Sequence, residues 1–126
     1  MGYRSEVAIA FYTHDPEHNG VVSLWLKSNF PFDDWGITDR EFIEKSDPNY
    51  SFVFHVNDIK WYEDYPAVER MNKLVEDFAE LFCSGLSPVA ACEFMRSGES
   101  DDDIESEHYG DVDHVLSISK CIDVNI

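Results

Sequence analysis

Hydrophobic positions change their spacing along the chain, and the first spacings predict strands. Residues 4–13, "RSEVAIAFYT", contain an almost unbroken apolar run, which is typical of a central strand covered at least partly on both faces. Residues 41–45 and 50–56 predict a hairpin, in which Tyr50, Phe52, Phe54 and Val56 share one face of the second strand. Its turn falls at residues 46–49, where Asp-Pro-Asn provides favourable turn chemistry.

Two segments have the spacing of helices. The first follows Asp15-Pro16, a helix-start signal, and should end before Pro31. The second covers residues 68–85 and ends at Gly85, a residue suited to a helix C-terminus. Its apolar positions step by three and four residues and are Val68, Met71, Val75, Phe78 and Phe82. This spacing predicts an amphipathic helix that lies on one face of a sheet.

The remaining segments complete an α+β pattern. Residues 31–39 are typical of a loop, and residues 87–98 and 113–124 are typical of two further strands. The predicted order is β-α-β-β-α-β-β in a single domain of residues 1–126. We expect a ferredoxin-like, mostly antiparallel sheet with both helices on one face. An acidic connecting loop at about residues 97–113 would join the last two strands.

Charge narrows the classes of partner. The chain has 126 residues, with 26 Asp and Glu against 9 Lys and Arg, and a net charge of −17. Direct binding to nucleic acid requires Lys and Arg that displace counterions from phosphates, so we exclude it. An anionic membrane would repel such a protein. The expected partner is therefore a cation or the basic surface of a protein.

Cysteine usage and hydropathy predict a cytoplasmic protein. Cys83, Cys92 and Cys121 form no CxxC pair, which fits reduced thiols in a cytosolic compartment. No apolar run reaches the length of a membrane span. Glu6 lies where a signal peptide would begin its apolar region.

The acidic run at residues 97–113 holds eight carboxylates and no Lys or Arg. An EF-hand loop starting at Asp101 would require Gly at its sixth position and Glu at its twelfth. Those positions hold Ser106 and Val112, so the motif fails. Three interpretations stay open, which are a solvated loop, a partner-binding surface and a metal site.

Aromatic residues are interleaved with acids in two further segments. "IKWYEDYP" and "NFPFDDWG" each combine several aromatic rings with two carboxylates. Such rings either belong to the core or supply contact energy in an interaction surface, where the carboxylates would capture Lys or Arg. The predicted partner-binding residues are Trp61, Tyr62, Glu63, Asp64, Glu99, Asp101, Asp102, Asp103, Glu105 and Glu107.

No motif indicates catalysis or a metal centre. His14 and His18 are four residues apart, but Pro16 places His14 outside the helix. The other histidines, His55 and the pair His108 and His114, have no ligand spacing such as HExxH. There is also no GxSxG elbow. We therefore predict a protein without catalytic residues, resident metal or cofactor.

Three stretches resemble a group of small acidic bacteriophage-encoded proteins that open with an MGYRS-type motif. They are "MGYRSEVAIAFY", "FHVNDIKWYEDYP" and "GESDDDIESEHYG", and the likeness covers most of the chain. It implies a phage or prophage setting, hence the cytoplasm of a host cell. It implies no chemistry and transfers no catalytic residues.

The sequence therefore predicts a non-enzymatic interaction protein of phage type. Its carboxylates would bind the basic surface of a host or competitor protein, such as a defence or nucleic-acid-handling protein, and imitate nucleic acid. Two alternatives remain, which are a small metal-dependent hydrolase that uses clustered carboxylates and an accessory protein with no basic partner.

Overall fold

The computed structural model describes residues 4–35, 41–100, 102–118 and 122–125. The strands are β1 Ser5–Thr13, β2 Glu41–Lys45, β3 Ser51–Ile59, β4 Ala90–Ser97, β5 Ile104–Tyr109, β6 Leu116–Ile118 and β7 Ile122–Val124. The α-helices are α1 Asn19–Asn29, α2 Phe32–Trp35 and α3 Pro66–Phe78. A 3₁₀ turn, Pro16–His18, precedes α1, and a π-helical turn, Ala79–Cys83, extends α3. None of the described helices is both long and apolar enough to cross a membrane.

The sheet confirms the α+β class. Five strands pair antiparallel in the order β2-β3-β1-β4-β5, so β3 lies between β1 and β2 as in a split βαβ unit. The predicted element order is not reproduced in full. The fifth strand comes from the acidic run, and residues 113–124 instead contain the separate β6–β7 pair.

The two faces of the sheet are covered by different elements. Val7, Ile9 and Phe11 of β1 join a core with α1 and α3, which confirms that both helices lie on one face. Ala8 and Tyr12 join a second core that includes Leu116 and Ile122 of the β6–β7 pair. All nine residues of β1 are buried, so the prediction of a strand covered on both faces is also confirmed.

The amphipathic pattern of α3 is largely confirmed. Val68, Met71, Leu74, Val75 and Phe78 are buried. Phe82 is only half-buried and packs its ring 5.0 Å from that of Phe78. Leu81 is 59% exposed, because the π-helical turn shifts the angular position of the residues after Phe78. Gly85 has a φ of +91°, the left-handed conformation that glycine adopts easily after a helix.

The loop predicted at residues 31–39 contains the short helix α2, and residues 36–39 lie outside the described part. Helix α1 ends at Asn29, before Pro31, as expected. It buries Val22 and Leu26, whereas Val21 and Leu24 are exposed. The side of α1 that faces the core therefore contains Val22 and Leu26, with Trp25 packed beside them.

Candidate functional site

A groove of about 870 Å³ lies between α3, the segment that leads into it, and the outer strands β4 and β5. Its carboxylates are Glu63, Asp64, Glu76, Asp103, Glu105 and Glu107, and its aromatic residues are Trp61, Tyr62, Phe94 and Tyr109. Arg96, Asn72 and Val75 complete the lining. Six carboxylates and four aromatic rings therefore share one concave surface with a single basic residue among its described lining.

The pleat of β5 directs its acids into this groove. Glu105 and Glu107 pair with Arg96 and Phe94 of β4, and directly opposed residues of antiparallel strands point to the same face. Phe94 belongs to the core on the helical face. The alternating residues Glu105, Glu107 and Tyr109 therefore line the helical side of the sheet.

Arg96 shows that this set of carboxylates binds a guanidinium. Its Nη2 lies 2.7 Å from Asp103 Oδ1 and 2.7 Å from Glu105 Oε1, and its Nη1 donates to Ser5 Oγ at 2.9 Å. Burial opposes the charge of Arg96, but the hydrogen bonds to both carboxylates outweigh it and raise the guanidinium pKa. These bonds fix the turn between β4 and β5 against the strands.

The other four groove carboxylates are exposed and pair with no Lys or Arg that the structure describes. They are Glu63, Asp64, Glu76 and Glu107. Glu107 accepts a hydrogen bond from the Tyr109 hydroxyl at 3.3 Å. Burial and the nearby Glu107 charge raise the pKa of Tyr109, so the phenol remains a donor.

The aromatic part of the groove combines packing with accessible rings. Trp61 and Tyr62 are half-buried. The Trp61 ring lies 6.3 Å from that of Phe94, and Tyr62 contacts Tyr65 edge-on at 5.1 Å. The face of a tryptophan attracts Lys and Arg, most strongly when water is excluded. The rings and carboxylates can therefore act together on a basic side chain.

The structure brings together seven of the ten predicted partner-binding residues. Trp61, Tyr62, Glu63 and Asp64 line the groove with Asp103, Glu105 and Glu107. Glu99 and Asp102 are exposed outside the groove lining, and the Glu99 carboxylate accepts the backbone N–H of Arg4 at 2.9 Å. Asp101 lies outside the described residues.

The prediction of a connecting loop is wrong for the middle of the acidic run. Residues Ile104–Tyr109 form β5, because their backbone groups pair with β4. Five of the six residues are exposed, so the expected exposure is present on a strand instead of a loop.

Sequence reasoning missed the groove residues contributed by β4, α3 and Tyr109. Phe94 and Arg96 fell only within a predicted strand, and Glu76 only within the predicted helix at residues 68–85. One available signal was the period of two in "IESEHY", which places Glu105, Glu107 and Tyr109 on one side.

Residues 30–34 of the second aromatic and acidic segment line a separate depression, not the groove. Phe30 is buried and Phe32 packs against the core. Asp34 accepts two hydrogen bonds from Arg70 of α3, at 2.6 and 2.8 Å, and these bonds lower the pKa of Asp34. This segment therefore serves packing and an internal ion pair, not the groove.

The histidines lie outside the groove lining. His55, without a partner nearby in the sequence, has its Nε2 2.7 Å from Glu6 Oε2. Among the described residues, two groups place potential metal ligands close together, Asp15, Glu17 and His18 in one group and Glu93, His108 and His114 in the other.

Comparisons with protein-family models, curated proteins and solved structures find no match.

Proposed function

We propose that this chain is a non-enzymatic interaction protein that holds a basic segment of a partner protein in the acidic and aromatic groove. One observation carries the proposal. The segment at residues 61–64 is far in the sequence from Asp103 and from the β5 acids Glu105 and Glu107, yet all of them line the same concave surface.

The chemistry of the groove suits Arg and Lys side chains. Arg96 already occupies two of the carboxylates with charge-assisted bonds, while Glu63, Asp64, Glu76 and Glu107 remain for an incoming basic residue. Trp61 adds a surface on which a guanidinium can stack. A net charge of −17 would speed the encounter with a basic partner.

The partner class follows from the same charges. A protein that handles nucleic acid presents basic side chains spaced for phosphates, and carboxylates that occupy them would exclude the natural substrate. A host defence protein of this kind is the target suggested by the resemblance to phage-encoded proteins. In this proposal the chain acts as an inhibitor in the host cytoplasm and binds neither nucleic acid nor membrane directly.

One geometric feature favours binding over metal-dependent hydrolysis in this groove. A hydrolytic ion would require several carboxylates that are free to coordinate it. Asp103 and Glu105 share the guanidinium of Arg96, and within the described residues no three groove carboxylates bring ligand atoms within 4.8 Å of one another. The groove thus resembles a site that recognises guanidinium groups more than one that binds an ion.

The test uses a short arginine-rich peptide as probe, with glutamine replacing arginine in the control peptide. Binding is measured by calorimetry for the native chain and for Glu63→Gln/Glu107→Gln. The matched control, Glu69→Gln/Glu80→Gln, removes the same charge from exposed carboxylates outside the groove. We expect the groove variant to weaken binding by roughly fivefold, since each exposed charge pair contributes about 0.2–1 kcal/mol.

Trp61→Ala should weaken binding further, by about 2 kcal/mol, if the ring acts as a central anchor. Equal losses in the groove and control variants would overturn the proposal, because only the total charge would then matter. Failure of the arginine peptide to bind at low salt would also overturn it and favour an accessory protein with no basic partner.

A further inference from the structure

We propose that Glu93, His108 and His114 form a binding site for a divalent transition-metal ion, with zinc as the best fit. The site lies on the face of the sheet that packs against β6 and β7, and it has no residue in common with the groove lining. The inference is therefore independent of the proposed function.

Glu93 is a buried carboxylate with one coordination direction that the described residues leave unused. It is 1% exposed and accepts hydrogen bonds from the Tyr12 hydroxyl and the Val115 N–H at Oε2 and from the Leu116 N–H at Oε1. Each carboxylate oxygen has two lone pairs, so the donors in the described part of the chain leave one of them on Oε1. Within the described residues no Lys or Arg pairs with Glu93, although buried charges are normally paired or bound to metal.

The sheet register places His108 beside this carboxylate. His108 on β5 is directly opposite Glu93 on β4, and opposed residues point to the same face. Glu105 and Glu107 point to the other face, so the same strand serves the groove and this cluster separately.

The loop before β6 supplies the third ligand. The N–H groups of Asp113, Val115 and Leu116 donate to Tyr12 or Glu93, which wraps the loop around the carboxylate. His114 lies within this loop and has a φ of 56°. Its ring contacts that of His108 edge-on, with centroids 5.1 Å apart.

The donor set fits zinc better than calcium or magnesium. One ligand atom from each residue lies within 4.8 Å of the others, and tetrahedral zinc requires ligand atoms roughly 3.4 Å apart. The two histidines are exposed, so their side chains can rotate to close this difference. Imidazole nitrogen suits zinc and similar transition ions, whereas calcium and magnesium prefer oxygen alone. Three protein ligands would leave a fourth position open to water.

The test measures zinc binding by the untagged, full-length chain after removal of metals. We expect one zinc ion per chain by calorimetry and a higher melting temperature in zinc than in chelator. His108→Ala and His114→Ala should each weaken binding by more than the roughly tenfold that loss of an outer-shell partner costs. The double variant should show no zinc-dependent shift in melting temperature.

The control is His18→Ala, which disrupts the group of Asp15, Glu17 and His18 and should leave zinc binding unchanged. In chelator, the double variant should have the same melting temperature as the native protein, because both rings are exposed. The inference is overturned if the native chain binds no zinc, if the double variant binds as tightly as the native chain, or if His18→Ala removes the binding.

Discussion

Two buried carboxylates attach the C-terminal strand pair to the sheet. Glu93 accepts the N–H groups of Val115 and Leu116, and Glu6 accepts that of Ile122 at 3.0 Å. Side chains of β4 and β1 thus satisfy backbone donors that would otherwise be buried without partners. A single acidic residue in each strand therefore adds hydrogen bonds to the apolar contacts that hold the β6–β7 pair on the second face of the sheet.

Glu93→Ala should destabilise the protein by at least about 2 kcal/mol, because it leaves the N–H groups of Val115 and Leu116 without their acceptor. Urea unfolding measures the effect, and hydrogen exchange at these two amides should show faster local opening. Glu107→Ala, on the exposed side of β5, serves as the control and should change stability by about 0.5 kcal/mol or less. Similar losses in both variants would contradict the anchoring role of Glu93.

The two buried thiols should make the stability of the fold depend on pH. Burial raises the pKa of the Cys83 thiol to about 12 and holds that of Cys92 well above its ordinary value of 9.0. The folded state therefore favours the neutral thiols. This contribution to stability is fully present below pH 9.0 and is lost as the pH rises toward 12.

Iodoacetamide labelling checks this prediction in a Cys121→Ser background, because Cys121 lies outside the described residues. At pH 9.0 the two thiols of the folded protein should react more than about a hundredfold more slowly than in denaturant. Rapid labelling of the folded protein would show that one thiol is ionised or accessible.

At the scale of elements, α3 anchors the helical face of the sheet. Phe78 is fully buried, and its ring contacts those of Phe11 at 4.9 Å and Trp25 at 5.9 Å. Phe78→Ala should lower the free energy of unfolding by about 3–5 kcal/mol, since it leaves a cavity between helix and sheet. Chemical denaturation measures this loss.

Leu81→Ala is the control for that measurement, because Leu81 lies in the following turn and is 59% exposed. It should cost about 0.5 kcal/mol or less. A loss below about 1 kcal/mol for Phe78→Ala would contradict the packing of α3.

The sequence predicted those elements whose apolar residues match the faces that the fold buries. Strand β1 and helix α3 were predictable because their apolar positions follow the covered faces. Strand β5 was not, because its pairing comes from backbone hydrogen bonds while most of its side chains remain exposed. The same limit applies to Arg96 and Phe94, whose place in the groove depends on the register between β4 and β5.

At the scale of the whole molecule, charge predicts salt-dependent binding. The affinity for the arginine-rich peptide should fall as salt rises from about 50 mM to 500 mM, mainly through slower association, because ions screen exposed charges. The share of the binding free energy contributed by Trp61 should persist at high salt, since it depends on contact and desolvation. An affinity unchanged over the salt series would contradict electrostatic recognition.

The acidic strand β5 also affects how copies of the protein meet one another. It is the last strand on its side of the sheet, and an unpaired sheet edge is a template for adding strands from another chain. Two such edges would bring Glu105 and Glu107 of each copy together, and their repulsion opposes that pairing. The side chains proposed to attract a basic partner thus also oppose self-assembly, and replacing both with neutral glutamine would remove this protection from aggregation.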